Sequence, residues 1–344
     1  MHRTRCAIVS FRLGMPDGVS VVAASWQAAL SDMGFEVVTV AGEGPVDRLV
    51  TGLAIGDSEP PDPDAVAEAI EDVDLVVVEN LLTIPMRPDA SRVVAEVLAG
   101  RPALLHHHDP PWQRDRFRHI TELPATDAAW RHVTINELTR REMAERGITA
   151  TTIYNGFDTD PPQGDRSTTR ASLDIHDDTV LVAHPVRAIA RKNIPAGLDL
   201  CARLGATYWL LGSAEEGYED ELRSLLDAAD CAWVHRTHSP IEDVYAAADL
   251  IAFPSLWEGF GNPPIEAAIH RRPVAVGPYP VGRELAALGF EWFDSNDVAA
   301  IRAHLRDPDP TLLDNNQALA TRHFSFTRMA ELLASVLDEA GWLP

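Results

Sequence analysis

Along the chain, short apolar runs alternate with longer segments in which apolar residues return every three or four positions. The runs of the first half are Ala7–Phe11, Glu36–Val40, Leu75–Val78, Ala103–His106 and His132–Ile135. A second series comprises Val180–Ala183, Tyr208–Leu211, Ala232–His235, Leu250–Phe253 and Pro273–Val276. Each run reads as a strand, and the periodic segments between them read as helices. Val19–Met33 is the first such helix, closed by Gly34. Phe324–Trp342 reads as the last, with Met329, Leu332, Leu333, Val336 and Leu337 as its apolar positions. This alternation predicts an α/β fold with parallel sheets. It occurs twice, and the turn-rich Asn155-Gly156-Phe157-Asp158 followed by the polar stretch Gln163–Thr169 separates the two series. We therefore expect an N-terminal domain over 1–157, a C-terminal domain over 158–325, and a final helix over 326–344 that returns to the first domain. A length of 344 residues suits two domains of about 150–170 residues each. In open parallel sheets ligands bind beyond the carboxyl ends of the strands, so the expected site is a cleft that the two domains face across.

Composition narrows the function. The chain carries 29 basic and 52 acidic residues, a net charge of −23 with histidine neutral. Nucleic acid and anionic lipid both need a basic footprint, so neither is expected as a partner. No stretch approaches the roughly 20 apolar residues of a membrane span. The opening run is strand-length rather than the core of a secretory signal. Cys6, Cys201 and Cys231 are widely spaced and form no Cys-x-x-Cys pair, which fits buried thiols in a reducing compartment. The expectation is a cytoplasmic enzyme without stable membrane insertion.

The strongest chemical signal follows the run Leu250–Phe253. There Trp257-Glu258-Gly259-Phe260-Gly261-Asn262-Pro263-Pro264-Ile265-Glu266 leads into a helix, with seven residues between the two glutamates. Gly259 and Gly261 let the backbone approach a ligand closely, and Pro263 or Pro264 suits a first helical turn. A helix start binds anions. Glu258 on the loop and Glu266 one turn into the helix can face one pocket and accept hydrogen bonds from sugar and ribose hydroxyls.

This segment resembles the Glu–seven residues–Glu signature of the family-4-type retaining glycosyltransferases of group 1. The resemblance extends along most of the chain. Arg187-Ala188-Ile189-Ala190-Arg191-Lys192-Asn193 is similar to the family's phosphate clamp, and Leu210-Leu211-Gly212-Ser213 to its next strand and glycine turn. Asp243–Asp249 resembles the step before the main motif, and Tyr154-Asn155-Gly156-Phe157-Asp158 the inter-domain segment. The resemblance implies the GT-B fold, two Rossmann-like domains facing across a cleft. It further implies that Glu258 contacts the donor hexose and Glu266 the nucleotide ribose. The backbone near Phe260, Gly261 and Asn262 would meet sugar and diphosphate, with Gly212 in the same donor site, and Arg187 and Lys192 would neutralise the departing diphosphate. Lys192 has an argument of its own, because it is the only lysine in a chain whose other 28 basic residues are arginine. A compact ammonium fits where a planar guanidinium does not. Two positions depart from the pattern. Asn262 stands where a small apolar residue is usual, and the loop Gly277–Glu284 carries Arg283, a further candidate for phosphate.

The first domain adds weaker cues. Leu13-Gly14-Met15-Pro16-Asp17-Gly18-Val19-Ser20 opens a helix and resembles the family's glycine loop near phosphates and acceptor, with Gly18 as its donor-side residue; it is not a dinucleotide fingerprint. His106-His107-His108-Asp109 ends another strand. Neighbouring strand residues alternate faces, so the three histidines cannot all converge on one metal ion. The resemblance places His108 beside the reacting sugar, although the residues alone leave the register among the three open. Arg114, Arg116 and Arg118 around Phe117 read either as acceptor-facing or as a solvated basic helix face.

The expected activity is transfer of a hexosyl group from a UDP- or GDP-sugar to a hydroxyl acceptor, with retention of configuration and same-face attack. No metal and no cofactor are expected, the nucleotide sugar being a substrate, and the acidic surface favours a soluble acceptor. Two other readings fit the same plan: a nucleotide-sugar epimerase, and a non-catalytic nucleotide-sugar-binding subunit. The near absence of lysine and the strong acidity also match proteins of a high-salt cytoplasm. If salt adaptation is the cause, the unfolding midpoint rises as KCl goes from dilute to molar; a flat response contradicts it.

Overall fold

The computed structural model describes residues 4–15, 17–83 and 86–344. Pro16, in the glycine loop before the first helix, lies outside the described residues. The chain divides into two compact units, Met1–Gly156 with Phe326–Pro344, and Phe157–Ser325.

The first unit holds seven strands: β1 (Arg5–Arg12), β2 (Glu36–Glu43), β3 (Arg48–Leu49), β4 (Leu75–Glu79), β5 (Ala103–His107), β6 (Trp130–Thr134) and β7 (Ala150–Thr152). They pair in parallel in the order β3-β2-β1-β4-β5-β6-β7. Its helices are α1 (Gly18–Asp32), α2 (Pro63–Ala69), α3 (Pro88–Leu98) and α4 (Glu137–Glu145). The strands read as unbroken apolar runs because both faces of the sheet are covered. Ala7, Val9, Val76, Val78, Ala103 and Leu105 pack on one face with Val66 of α2, Ile70 just after it, and Val94 and Leu98 of α3. Their neighbours Cys6, Ile8, Leu75, Val77 and Leu104 point the other way, onto Val22, Trp26 and Leu30 of α1. Each large aliphatic side chain buried in this way stabilises the fold by about 1.5–3 kcal/mol.

The second unit contains β8 (Leu181–His184), β9 (Thr207–Leu210), β10 (Trp233–His235), β11 (Leu250–Phe253), β12 (Val274–Val276) and β13 (Phe293–Asp294). Its parallel order is β10-β9-β8-β11-β12-β13, the same winding as in the first unit. The helices of this unit are α5 (Arg166–Ser172), α6 (Ile194–Leu204), α7 (Glu219–Asp227), α8 (Ile241–Ala247), α9 (Asn262–Ile269), α10 (Pro280–Ala286), α11 (Val298–Arg306) and α12 (Pro310–Phe324).

Three departures from the sequence reading have physical causes. The short strands β3, β7 and β13 escape notice because they span only two or three residues, none of them buried. The last helix starts two residues later than read. α12 ends at Phe324, which is buried in the second unit, and α13 (Phe326–Glu339) follows the extended Ser325. From there Met329, Leu333, Val336 and Leu337 pack into the α1 side of the first unit. The segment around Arg114–Arg118 is two single 3-10 turns rather than a helix face.

Arg170 of α5 is a fully buried cation, 1% exposed, that ties the second unit together. Its guanidinium donates to the carbonyls of Ala247 (2.8 Å) and His176 (2.7 Å) and lies 3.4 Å from Asp249, which also accepts from Leu181 N at 2.8 Å. Removing one partner of a buried network strands the others. Arg170→Met is therefore expected to cost about 3 kcal/mol or more in urea unfolding followed by circular dichroism; an unshifted midpoint contradicts this role.

Candidate functional site

In the second unit the winding reverses between β8 and β11. The connections from these two strands leave in opposite directions and open a crevice at their carboxyl ends, the usual ligand position in open parallel sheets. After β8 the chain makes a 3-10 turn over Ala190–Lys192, closed by Asn193 at φ 56°. After β11 it runs through Pro254–Gly261 into α9. The two loops are laced together. Leu256 N donates to Arg191 O at 2.9 Å, Asn193 Nδ2 to Pro254 O at 3.1 Å, and Arg191 Nη1 to Trp257 O at 3.0 Å.

This lacing converges on Glu258, 5% exposed. Lys192 Nζ donates to its Oε1 at 2.6 Å and Arg191 Nη1 to its Oε2 at 2.5 Å. Burial pushes the Glu258 carboxyl upward, but the Lys192 and Arg191 charges prevail and hold it below the usual range. Burial also lowers the Lys192 ammonium, against the pull of Glu258. Lys192 is 8% exposed, with Nζ 5.3 Å from the centre of the Phe253 ring. The slot has an aromatic wall on one side and a carboxylate on the other. Two cations against one carboxylate leave the trio with a net charge of +1. Arg191 Nε is buried and makes no hydrogen bond among the described residues. At the end of β8, His184 shares a 2.7 Å hydrogen bond with the Tyr208 hydroxyl. Burial, helped by the Lys192 charge, pushes its imidazole down to about 3, so it stays neutral.

Around this trio the other expected donor-site residues take different positions. Glu266 sits one turn into α9, where Tyr245 Oη donates to its Oε2 at 2.5 Å. Burial, partly countered by Tyr245, raises its carboxyl above the usual range. The Tyr245 ring in turn stacks on His270 with centroids 4.7 Å apart. Gly261 caps α9 at φ 97°, and a Cβ there would stand 2.4 Å from Tyr279 Oη. Only glycine fits. Asn262 opens the helix, and Pro263 and Pro264 fill the next two positions. The prolines have no N–H, so this helix start offers fewer amide donors to an anion than an ordinary one. Phe260 is buried, its ring 5.8 Å from that of Phe324. Gly212 lies under the loop after β8, where a Cβ would meet Val186 O at 2.3 Å. Arg187 lies further out, half-exposed and paired with Glu215 at 2.7 Å. Arg283 is exposed and donates to Pro278 O at 3.1 Å. Arg191, rather than Arg187, thus shares Glu258 with Lys192. Nothing in the sequence distinguishes it from the other arginines.

In the first unit, Gly18 starts α1 in an exposed position. The Asp17 carboxylate caps that helix, accepting from Val19 N at 3.1 Å and Ser20 N at 3.2 Å. His108 follows β5, and alternation along the strand sets His107 apart from its two neighbours, as expected. His106 and His108 are two residues apart, share a face, and meet Glu79 at the end of β4. Glu79 lies 3.0 Å from His106 Nδ1 and 3.0 Å from His108 Nε2. The three donor atoms lie within 4.8 Å of one another, a grouping able to hold a metal ion and the only one found among the described residues. In the structure the cluster closes on itself through hydrogen bonds. His107 points the other way, to the Thr83 hydroxyl at 2.8 Å and His132 at 2.9 Å. Arg114 pairs with Asp109 at 3.0 Å.

Comparison with known proteins agrees with this geometry. Residues 189–307, which hold the trio, α9 and Glu266, match the family model described as Glycosyl transferases group 1. The mannosylglucosylglycerate synthase of Thermotoga maritima is 25% identical to the chain, covering 96% of it and 99% of the relative. The Petrotoga mobilis protein of the same name is 24% identical, covering 83% and 85% respectively. Among solved structures, Anabaena Alr3699/HepE in complex with UDP-glucose superposes with a TM-score of 0.79 at 21% identity, covering 97% of this chain and 99% of that one. Among the described residues, no helix is long and apolar enough to cross a membrane. With the doubly wound sheets of both units and the laced crevice of the second, these matches support a group 1 glycosyltransferase with the GT-B fold.

Proposed function

We propose that the enzyme transfers a hexosyl group from a nucleotide diphosphate sugar to a hydroxyl acceptor, retaining the configuration at the transferred carbon. The observation that carries this reading is the trio of Lys192, Arg191 and Glu258. It is a largely buried cluster with an excess positive charge and an unpaired Arg191 Nε–H, at the carboxyl ends of the strands where the sheet reverses. Such a cluster suits a diphosphate. The Anabaena neighbour, with its bound UDP-glucose, makes a uridine diphosphate sugar the first donor to test. The mannosylglucosylglycerate synthases named above make a small soluble hydroxyl compound the first acceptor class.

In this reading Lys192 and Arg191 stabilise charge building on the departing phosphate, with Arg187 available nearby. That electrostatic work is the largest single contribution to most such reactions. The same two cations do what a divalent metal does elsewhere, so the mechanism assigned here needs none. Glu258 holds both cations and presents its carboxylate toward the hexose. The hydrogen bond from Tyr245 fixes Oε2 of Glu266 and leaves Oε1 as an acceptor for ribose hydroxyls. Phe260, Gly261, Asn262 and Gly212 shape the backbone around the donor; in the first unit, Gly18 is read as the donor-side residue of its glycine loop and His108 as a hydrogen-bonding group to a substrate hydroxyl. Same-face attack by the acceptor, with phosphate oxygen taking the proton, needs no enzyme nucleophile. A cytoplasmic setting supplies the nucleotide sugar.

Incubation with UDP-, GDP- and ADP-sugars, with and without polyol acceptors, tests the proposal through release of nucleoside diphosphate. Lys192→Ala and Glu266→Ala are each expected to lower transfer at least about tenfold, or about 1.4 kcal/mol. Wild-type rates in both overturn the site assignment. An isomeric sugar nucleotide as product makes the enzyme an epimerase instead.

A further inference from the structure

Glu79 is the last residue of β4 and the register partner of His106 on β5. It is wholly buried, 0% exposed, an unusual place for a carboxylate without a cation beside it. Burial works to raise its carboxyl, yet the two imidazoles overcome this and hold it down at about 2. At neutral pH it is therefore an anion, able only to accept hydrogen bonds. His106 Nδ1 lies 3.0 Å from both of its oxygens, and His108 Nε2 lies 3.0 Å from Oε2. Each of these ring nitrogens must then carry a hydrogen. Burial keeps His106 neutral, and its ring is clamped between Trp26, stacked at 4.0 Å, and the edge of His108 at 4.5 Å. The backbone is pinned too. Asn80, at φ 58°, accepts from His108 N at 3.1 Å through its side chain, and Ser10 Oγ donates to Glu79 O at 2.9 Å.

From this geometry we infer that Glu79 is a positioning residue for the transfer reaction: it fixes His108 in the Nε2–H tautomer, so that Nδ1 presents a lone pair to a substrate hydroxyl. The inference rests on the reading of His108 as a substrate-contacting group. His108 suits the role better than its neighbours, being 5% exposed against 1% for His106 and 0% for His107, and among the described residues its Nδ1 makes no hydrogen bond. An accepting nitrogen selects a partner that donates. A sugar or polyol hydroxyl qualifies; a phosphate or a carbonyl oxygen does not. Replacing the carboxylate by an amide supplies a donor where the ring now finds only an acceptor, which favours the other tautomer and turns Nδ1 into a donor.

The test has two parts. Long-range proton–nitrogen spectra of 15N-histidine-labelled enzyme at neutral pH, with His108 assigned by its loss in His108→Gln, are expected to show Nε2 protonated and Nδ1 bare. The opposite tautomer, or a bare Nε2, overturns the inference without recourse to any Glu79 variant. In Glu79→Gln, kcat is expected to fall at least about tenfold, while affinity for the nucleoside diphosphate alone and the circular dichroism spectrum stay as in wild type. Wild-type kcat in Glu79→Gln, alongside a loss in His108→Ala, overturns the positioning role. Wild-type kcat in His108→Ala instead removes His108 from the reaction, and the spectra still judge its tautomer.

Discussion

A carboxylate that has lost its water must find its hydrogen bonds in the protein, and Glu258 finds them in Lys192 and Arg191. Burying such a charge costs several kcal/mol unless its partners are held in place. The backbone bonds between Arg191 and Leu256, and the reach of Asn193 to Pro254, hold them. The loops after β8 and β11 therefore set as one piece. Everything else in the second unit's crevice follows from their joint position, including the tight passage of Gly261 past Tyr279 and the entry into α9 that carries Glu266. The same pairing leaves one cation in excess. A cluster assembled for stability alone would come closer to neutrality.

The first unit repeats the device with different chemistry. Its sheet winds in the same sense, and again a buried glutamate stands at or just beyond the carboxyl end of the strand beside the reversal, Glu79 at β4 and Glu258 after β11. Glu258 is matched by fixed cations, and the result is an electropositive cluster suited to phosphate. Glu79 is matched by two imidazoles instead, and the result is an oriented ring suited to a hydroxyl. One fold thus offers two kinds of polar recognition through the choice of partner for a buried carboxylate.

Much of the fold was legible because double-sided burial writes strands as continuous apolar runs, as in Leu75–Val78 and Leu250–Phe253. What escaped lacked that imprint. β7 is three residues with none buried, and the apolar period from α12 into α13 continues across Ser325 although Phe324 and Met329 serve different cores. In the site, Glu258, Glu266 and Lys192 stood out through spacing and through the rarity of lysine. Arg191 did not, because its role depends on a carboxylate 67 residues away. Glu79 was invisible for the same reason, its histidines lying 27 and 29 residues further on. Alternation along β5 correctly sets His107 apart, but convergence of His106 and His108 needs a partner from the neighbouring strand, which only the register supplies.

The cluster around Glu258 is proposed as a diphosphate site feeding a sugar-transfer reaction. A crystal structure of the enzyme with a uridine diphosphate sugar bound tests it most directly. The diphosphate is expected against Lys192 and Arg191, with a ribose hydroxyl on Glu266. A nucleotide seated elsewhere, with those three side chains untouched, contradicts it.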